Sequence, residues 1–273
     1  MKIEIQKKDL LTLLSRTQNI VEKRNTMPIL VNVLLEAKGN ALKVYATDLE
    51  VSLTDSSPAQ VKSEGKVAVS AKSLFDLTRE LFEGPIQLIK KENNWLEIKQ
   101  GKFLSKIVGV PAEEYPVFPT YDSENFSKID ASEFKLMIDK TIYSVSNDET
   151  RYHLNGVYFE SVDKNNITMV ATDGHRLSMI KKSFANIAFK EKIGVIIPKK
   201  GLFEIKKLIE SVTSTVEFAI EGSQFILKCG STVLMIRLIE GKYPNYQQFI
   251  PQKLSHKIII PRGYSSYRGR YLQ

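Results

Sequence analysis

Apolar residues recur at helical spacing in four segments of the chain. Between these segments, stretches such as residues 41–45 and 215–220 alternate apolar and polar positions, which is typical of half-buried strands. The pattern predicts an α+β fold in which a strand, a helix, several strands, a second helix and further strands follow one another twice. The four predicted helices are residues 9–21, 73–82, 132–142 and 200–209.

The two halves of the chain are related by an internal repeat. Four paired segments keep their order and a nearly constant spacing, which indicates a duplication. The pairs are 30–36 with 154–160, 46–48 with 171–173, 74–77 with 202–205, and 115–116 with 243–244. A polar stretch led by Pro119 separates the two copies, as expected of a linker. We therefore predict one domain at residues 1–120 and a second at residues 126–253.

A third copy begins at residues 257–260, which resemble residues 2–5. The pattern then stops, because residues 261–271 have a biased composition and no helical periodicity. Two interpretations of this end remain open. It is either a basic aromatic tail that stacks on nucleic acid through Arg and Tyr, or an altered end that replaces a third domain. We assign residues 254–273 to the start of a third domain followed by an aberrant basic tail.

The charge of the chain indicates a class of partner. The 273 residues include 39 Lys and Arg against 31 Asp and Glu, a formal net charge of +8. Such an excess suggests an acidic partner, either nucleic acid or an anionic surface. Three of the arginines lie in the last thirteen residues, so the excess over the rest of the chain is modest.

Several classes of protein are not expected from the composition. No apolar stretch approaches the ~20 residues of a membrane span, and residues 1–5 do not resemble a signal peptide, so we expect a cytoplasmic protein without membrane contact. The single Cys229 cannot form an internal disulfide. One cysteine and three scattered histidines offer no metal-binding spacing, so neither a metal nor a cofactor is expected.

The strongest catalytic alternative pairs Asp173 with His175 and takes Ser178 as a nucleophile. No glycine-rich elbow surrounds Ser178, and Asp48 in the first copy has no histidine at the equivalent position. The Thr-Asp pair recurs in both copies, which favours a turn formed by side-chain to backbone hydrogen bonds. The chain also has no Walker-type phosphate loop. We therefore expect a protein that is not an enzyme.

Five segments of the chain resemble the beta subunit of bacterial DNA polymerase III, the replicative sliding clamp, and the resemblance covers roughly residues 1–260. It implies duplicated DNA-clamp domains, each with two helices on an inner face and antiparallel strands on an outer shell. In this family two head-to-tail chains of three domains each close a ring. The five segments are residues 24–30, 46–50, 151–156, 171–177 and 241–246.

The resemblance implies a set of basic residues that face DNA. The family's DNA contacts carry over by motif to Arg24, Lys199 and Lys200. Basic side chains of this kind attract phosphates without reading bases, as a sliding ring requires. Asp148 occupies the position of a polar amide in the family, where its charge would repel phosphate. Further candidates on the predicted helices or directly before them are Lys7, Lys8, Arg16, Lys72, Arg79, Lys135, Lys140, Lys206 and Lys207.

The resemblance also implies a pocket for the short apolar peptides by which polymerases and the clamp loader dock. Leu154, Leu177 and Pro244 would provide apolar walls, and Gly174 would let the peptide backbone approach. Phe249 would add apolar surface near a position where the family often has a basic residue. In the family the C-terminus of the third domain completes this pocket, so we expect the groove to be open on one side. The complete predicted set is Leu154, Thr172, Gly174, His175, Arg176, Leu177, Pro244 and Phe249.

The expected function is that of a processivity factor that tethers the replicative polymerase to duplex DNA independently of sequence. The expected partners are duplex DNA, the DNA polymerase III alpha subunit, the clamp loader and other polymerases with clamp-binding peptides. Because the third copy stops early, we expect a truncated clamp in which the family's homodimeric ring does not close normally. The alternative is a monomeric clamp-derived protein that binds these peptides without encircling DNA.

Overall fold

The structure, a computed structural model, forms two compact units, Met1–Gly241 and Lys242–Gln273. In the second unit the described part contains a short 3₁₀ turn, Tyr246–Phe249. Arg24 and most of residues 254–273 lie outside the described residues. The predicted boundaries of the domains and the predicted tail therefore remain predictions. The structure describes residues 1–18, 20–21, 27–122, 126–163, 165–185, 187, 189, 192–210, 212, 214–251 and 259.

The described part of the first half, within residues 1–122, contains two α-helices and ten strands. The helices are α1 (Lys7–Thr17) and α2 (Ala71–Glu80), and they pack against each other. The strands are β1 (Lys2–Gln6), β2 (Asn32–Lys38), β3 (Ala41–Thr47), β4 (Val51–Pro58), β5 (Gln60–Ser63), β6 (Gly65–Ser70), β7 (Pro85–Lys90), β8 (Leu96–Gln100), β9 (Phe103–Ile107) and β10 (Gly109–Val110).

The second half, residues 126–241, has a similar order of elements. Its helices are α3 (Ala131–Asp139) and α4 (Lys199–Ile209), which also pack together. Two 3₁₀ turns, Ile142–Ser144 and Glu149–Leu154, follow α3. The strands are β11 (Ser127–Asp130), β12 (Gly156–Asp163), β13 (Asn166–Thr172), β14 (Leu177–Ser183), β15 (Ile193–Pro198), β16 (Thr215–Glu221), β17 (Gln224–Cys229) and β18 (Thr232–Arg237).

The strands form three antiparallel sheets, which confirms the predicted α+β class with antiparallel strands. Five strands pair in the order β5-β1-β7-β8-β9, and four pair in the order β14-β13-β12-β15. The largest sheet has the order β10-β6-β2-β3-β4-β18-β17-β16-β11. In it, β4 pairs with β18 from Val51 opposite Ile236 to Thr54 opposite Val233. One hydrogen-bonded sheet therefore runs through both halves.

The helices begin earlier than predicted because their first turns contain polar residues. The second helix begins at Ala71, where Ser70 accepts a hydrogen bond from the amide of Ser73 at 3.2 Å. The third begins at Ala131, where Asp130 accepts from the amide of Glu133 at 3.0 Å. Ser and Asp at this position satisfy amides that have no partner within the helix. The apolar pattern marks the buried face of these helices but not their caps.

The core of the second half is built around aromatic rings. Phe134 of α3 lies 6.3 Å from Phe218 and 6.2 Å from Phe225, measured between ring centroids. Phe218 and Phe225 stack at 5.6 Å, and Phe159 meets both edge-on. All four side chains are fully buried. The core therefore fixes α3 against strands β12, β16 and β17.

The segment that connects the two halves packs on the largest sheet. Phe118, Tyr121 and Phe126 cover a small apolar cluster on β17 and β18 that includes Val233 and Met235. Phe118 also meets Tyr45 of β3 edge-on, with ring centroids 5.0 Å apart. The segment from Phe118 to Phe126 therefore makes apolar contacts with both halves.

Candidate nucleic-acid and peptide-binding sites

Lys72 and Arg79, two of the predicted DNA contacts, lie exposed on α2. Lys72 pairs with Asp76 one turn later, and the Arg79 Nε lies 3.2 Å from Glu80 Oε1. Exposed pairs of this type are weak, since water and salt screen them. A phosphate could therefore compete for both basic groups, and both positions remain predicted DNA contacts.

Lys199 and Lys200 begin α4, but their side chains have different partners. The ammonium of Lys199 donates to the Asn147 Oδ1 at 2.9 Å. The ammonium of Lys200 lies 2.7 Å from Asp48 Oδ2, on a carboxylate whose side chain is only 1% exposed. That oxygen accepts no well-aligned hydrogen bond among the described residues, so Lys200 is its partner through charge. Lys199 is the more available of the two for DNA.

Most of the other predicted basic residues on the helices are paired within the protein. The Lys7 side chain is only 11% exposed, since its ammonium donates to the carbonyl of Leu81 at 2.5 Å and pairs with Glu83. Its place among the DNA-facing residues remains a prediction. Lys8 and Lys140 are exposed and have no ion pair within the described part of the chain. The remaining pairs are Arg16–Asp55, Lys135–Glu210, Lys206–Asp139 and Lys207–Glu204.

Arg16, whose side chain is 42% exposed, belongs to a joint between the two halves that is centred on the fully buried Asp55. Its guanidinium donates to Asp55 Oδ2 at 2.6 Å and to Thr232 Oγ1 at 2.9 Å. The other carboxylate oxygen accepts from Ser231 Oγ at 2.7 Å and from the amide of Ser56 at 2.8 Å. The joint therefore ties α1 to the neighbouring strands β4 and β18.

Asp148, which was expected to repel phosphate, is neutralised in part by its neighbours. Its carboxylate accepts from the hydroxyl and the amide of Thr150, at 2.6 and 3.0 Å, and from Arg151 Nε at 2.8 Å. The Thr150 hydroxyl and the Arg151 guanidinium lower the pKa of Asp148 to about 2. The group is ionised at neutral pH, and Arg151 is its charge partner.

The first Thr-Asp turn joins β3 to β4. Thr47 Oγ1 accepts from the amide of Leu49 at 3.0 Å, while Asp48 Oδ1 accepts from the amides of Glu50 and Val51 at 2.9 and 2.7 Å. These bonds hold Leu49 at a φ of +75°, in the left-handed region that residues with a side chain rarely adopt.

The second Thr-Asp turn joins β13 to β14 and repeats these bonds. Thr172 Oγ1 accepts from the amide of Gly174 at 3.1 Å, while Asp173 Oδ1 accepts from the amides of His175 and Arg176 at 2.9 and 3.0 Å. The His175 and Arg176 amides lower the pKa of Asp173 to about 2. The predicted turn-forming role of the Thr-Asp pair is therefore confirmed in both copies.

The turn is also the centre of the predicted peptide pocket. It brings the predicted pocket residues between Thr172 and Leu177 into one tight segment, in which Thr172 Oγ1 donates to the carbonyl of Arg176 at 2.7 Å. Leu154 lies two residues before the start of β12, which pairs with β13, so it lies at the same end of the sheet as the turn. The structure therefore places these two parts of the predicted pocket together.

The backbone conformation and the surrounding space of this turn favour glycine at position 174. Its φ is +92°, and a Cβ there would lie 2.9 Å from the Arg151 guanidinium. Arg151 is thus a neighbour of the pocket that the sequence motif did not assign to it. Pro244 and Phe249 belong to the smaller unit, and their part in the pocket remains a prediction.

The catalytic alternative finds no support in this geometry. Ser178 is buried, and its hydroxyl is 2.6 Å from the hydroxyl of Ser144. Asp173 binds backbone amides and the Arg176 guanidinium, the latter at 2.9 Å. Within the described residues, no group of three His, Cys, Asp or Glu side chains could hold a metal ion. None of the helices in that part of the chain has the length and apolar character needed to cross a membrane.

Comparison with known proteins finds the same family in both halves. Residues 1–119 match the family described as DNA polymerase III beta subunit, N-terminal domain, and residues 128–245 match its central domain. Curated proteins named Beta sliding clamp are similar: that of Caulobacter vibrioides is 34% identical over 257 residues, and that of Rickettsia bellii is 34% identical over 269 residues. These matches cover 92% and 96% of this chain and 69% of each relative.

Two solved structures show the same arrangement of elements. The Caulobacter crescentus pol III beta structure superposes with a TM-score of 0.85 at 33% identity, covering 93% of this chain and 70% of that one. The sliding clamp from Bacillus subtilis superposes with a TM-score of 0.89 at 25% identity, covering 93% of this chain and 68% of that one. The chain thus spans a little over two thirds of the length of these proteins.

Proposed function

Since this chain belongs to the DNA polymerase III beta subunit family, the sliding clamps, we propose that it holds duplex DNA through phosphate contacts and docks polymerases through the pocket at Thr172–Leu177. The observation that carries this proposal is the ordered match of both halves to successive clamp domains. Two separate features support it further. The exposed basic residues of α2 support DNA binding, and the Thr-Asp turn of the second half supports peptide docking.

The proposed DNA contacts are Arg24, Lys72, Arg79, Lys199 and, with less freedom, Lys200. A clamp must attract DNA without fixing its register, and basic side chains that meet phosphates do so without reading sequence. The exposed ion pairs of Lys72 and Arg79 on α2 fit this requirement. Because such pairs are weak, phosphates can replace the carboxylates as partners of the two basic groups. The amino terminus of α4 adds a partial positive charge beside Lys199.

Replacing Arg24 and Lys199 with alanine tests this assignment. Each lost phosphate contact should reduce the slope of log affinity against log salt by about one, and binding should weaken similarly for every duplex sequence. Fluorescence anisotropy with a labelled duplex at several salt concentrations measures the slope. Lys62→Ala, which removes an exposed lysine on β5, is the matched control. A slope that is unchanged in the double variant would remove both residues from the DNA face.

The proposed peptide pocket makes a second prediction. Removing the apolar wall at Leu177 should weaken an apolar polymerase-tail peptide by about fivefold or more, since truncating an anchor contact commonly costs at least ~1 kcal/mol. Calorimetry with wild type and Leu177→Ala gives the comparison. The matched control is Leu136→Ala, an exposed leucine on α3. Equal affinity in the wild type and Leu177→Ala would place the peptide elsewhere.

The remaining parts of the proposal follow from family membership. We infer that the chain supplies no catalytic group and acts in the cytoplasm, where it would bring the DNA polymerase III alpha subunit, the clamp loader and other peptide-bearing polymerases to DNA. The expectations stated above about the family's ring of two copies remain predictions.

A further inference from the structure

We propose that a groove between the two halves is a second peptide-binding site, which takes a short extended peptide with an apolar side chain next to a carboxylate. The groove has a volume of about 510 Å³ and lies between the first Thr-Asp turn, the connecting segment that begins at Pro116, and the end of β18. The side chains that matter here are Leu49, Pro116, Val117, Phe118, Met235 and Arg237.

The walls of this groove are the repeats of the elements assigned to the proposed peptide pocket. The turn at Thr47 makes the same three side-chain to backbone hydrogen bonds as the turn at Thr172. Pro116, on the opposite wall, follows Tyr115 just as Pro244 follows Tyr243 in the sequence. The duplication therefore reproduces a turn and a Tyr-Pro segment at a second position, where a further sheet strand, β18, closes the third side.

Apolar side chains in this groove are exposed. Val117 is 96% exposed, and Leu49 is 49% exposed although its backbone is in the left-handed region. The equivalent position in the second turn is Gly174, with a φ of +92°, so the turn itself needs no apolar side chain there. Backbone strain of this kind persists where surrounding bonds enforce it and is concentrated at binding sites. Leu49 thus presents an apolar contact to the groove.

The connecting segment forms a fixed wall. Phe118 is packed between Tyr45 and the apolar cluster that includes Met235. This anchoring turns the neighbouring Val117 outward, so the wall is already in place before a ligand arrives. A preformed wall lowers the ordering cost of binding an extended peptide.

The charges of the groove select the ligand. Arg237 is exposed and has no ion pair in the described part of the chain, so it can bind a carboxylate. The groove also contains Glu50, whose carbonyl accepts from the Arg237 amide at 2.8 Å. An acidic group on the ligand is attracted by Arg237 and repelled by Glu50. Glu50→Gln should therefore tighten binding of an acidic peptide, and Arg237→Glu should weaken it.

This proposal extends the proposed function, since it adds a second place for the same class of ligand. The test uses the full chain and the peptide acetyl-Gly-Asp-Leu-Phe-Gly-amide, with a photoreactive diazirine on its leucine. Mass spectrometry then locates the crosslinked residues. We expect one set of crosslinks around Leu49 and Val117, and a separate set around Leu177 if the proposed pocket of the second half also binds.

Two variants separate the sites. Val117→Asp should reduce crosslinking at the groove by about tenfold or more and leave the second-half set unchanged, while Leu177→Ala should do the reverse. Phe82→Asp adds the same charge at another exposed apolar residue outside the groove, and it should change neither set. Groove crosslinks without a second-half set would contradict the proposed pocket and leave this inference standing.

A charge exchange keeps the test decisive if Val117→Asp impairs folding. Arg237→Glu should weaken the Asp peptide at the groove, and a Lys peptide of otherwise identical sequence should recover binding to that variant. Crosslinks confined to the second half would overturn the proposal. So would groove crosslinks that do not respond to Arg237→Glu or to the exchange of Asp for Lys.

Discussion

Replacing Lys200 with alanine should lower the free energy of unfolding by about 2 kcal/mol, because it removes the partner of a buried carboxylate. Asp48 Oδ2 is inaccessible to water, and the Lys200 ammonium lies 2.7 Å from it. The lysine side chain is itself 34% exposed, so the loss should be smaller than for a fully buried pair. Chemical denaturation with wild type and variant measures the difference.

The neighbouring lysine is the matched control. The ammonium of Lys199 binds a neutral amide oxygen at a partly exposed position, so Lys199→Ala should change the stability by less than about 0.5 kcal/mol. Adding Asp48→Asn to Lys200→Ala should restore part of the loss, since it removes the uncompensated charge. Equal stability of the two single variants would show that the Lys200–Asp48 pair contributes nothing to the fold.

Replacing Asp55 with alanine should lower the free energy of unfolding by about 3 kcal/mol, because a fully buried carboxylate with three kinds of donor is lost at once. These donors are Arg16, Ser231 and the amide of Ser56, at 2.6 to 2.8 Å. The site lies next to the pairing of β4 with β18, so the variant should loosen the contact between the halves.

A surface pair provides the comparison for this variant. Asp139 also binds a basic residue, Lys206 at 2.6 Å, but its side chain is partly exposed. Asp139→Ala should therefore cost no more than about 1 kcal/mol. Hydrogen exchange of the β4 and β18 amides should accelerate in Asp55→Ala and stay unchanged in Asp139→Ala. A similar loss of stability in both variants would contradict the structural role of the joint.

The repeated parts of the chain could be predicted from the sequence because they depend on local patterns. The helical spacing of apolar residues within 9–21 predicted the buried face of α1, where Leu10 and Leu13 are indeed buried. The recurrence of Thr47-Asp48 as Thr172-Asp173 predicted the turns, whose hydrogen bonds span only two or three residues. Side-chain to backbone hydrogen bonds between residues this close in sequence can be predicted from the residue types.

Long-range partners could not be predicted in the same way. Arg16 and Lys200 lie on predicted amphipathic helices, where a basic residue is normally solvated, and their carboxylate partners come from distant strands. Asp55 ends the continuously buried stretch 51–55 of β4, and no local pattern identifies a distant arginine as its partner. The pairing of β4 with β18 joins the two repeated halves of the chain. It could not be predicted from the periodicity of apolar residues within either half.

Substitutions at two of the basic residues proposed or predicted to face DNA would affect the stability of the fold as well as DNA binding. Because Lys200 and Arg16 both neutralise carboxylates within the protein, their substitution would alter folding as well as charge. No buried carboxylate depends on Lys199, Lys72 or Arg79. Variants of these three residues therefore measure the contribution to DNA binding more directly. The proposed groove at Val117 is likewise testable without disturbing the joint.

Binding to two duplexes of equal length and unrelated sequence, measured by anisotropy across a range of salt concentrations, tests the proposed clamp function most directly. We expect dissociation constants that agree within about twofold at each salt concentration, and a log–log slope of about two or more units, since phosphate contacts release counterions irrespective of sequence. A preference of about tenfold or more for one sequence, or no binding at low salt, would contradict a sequence-independent clamp.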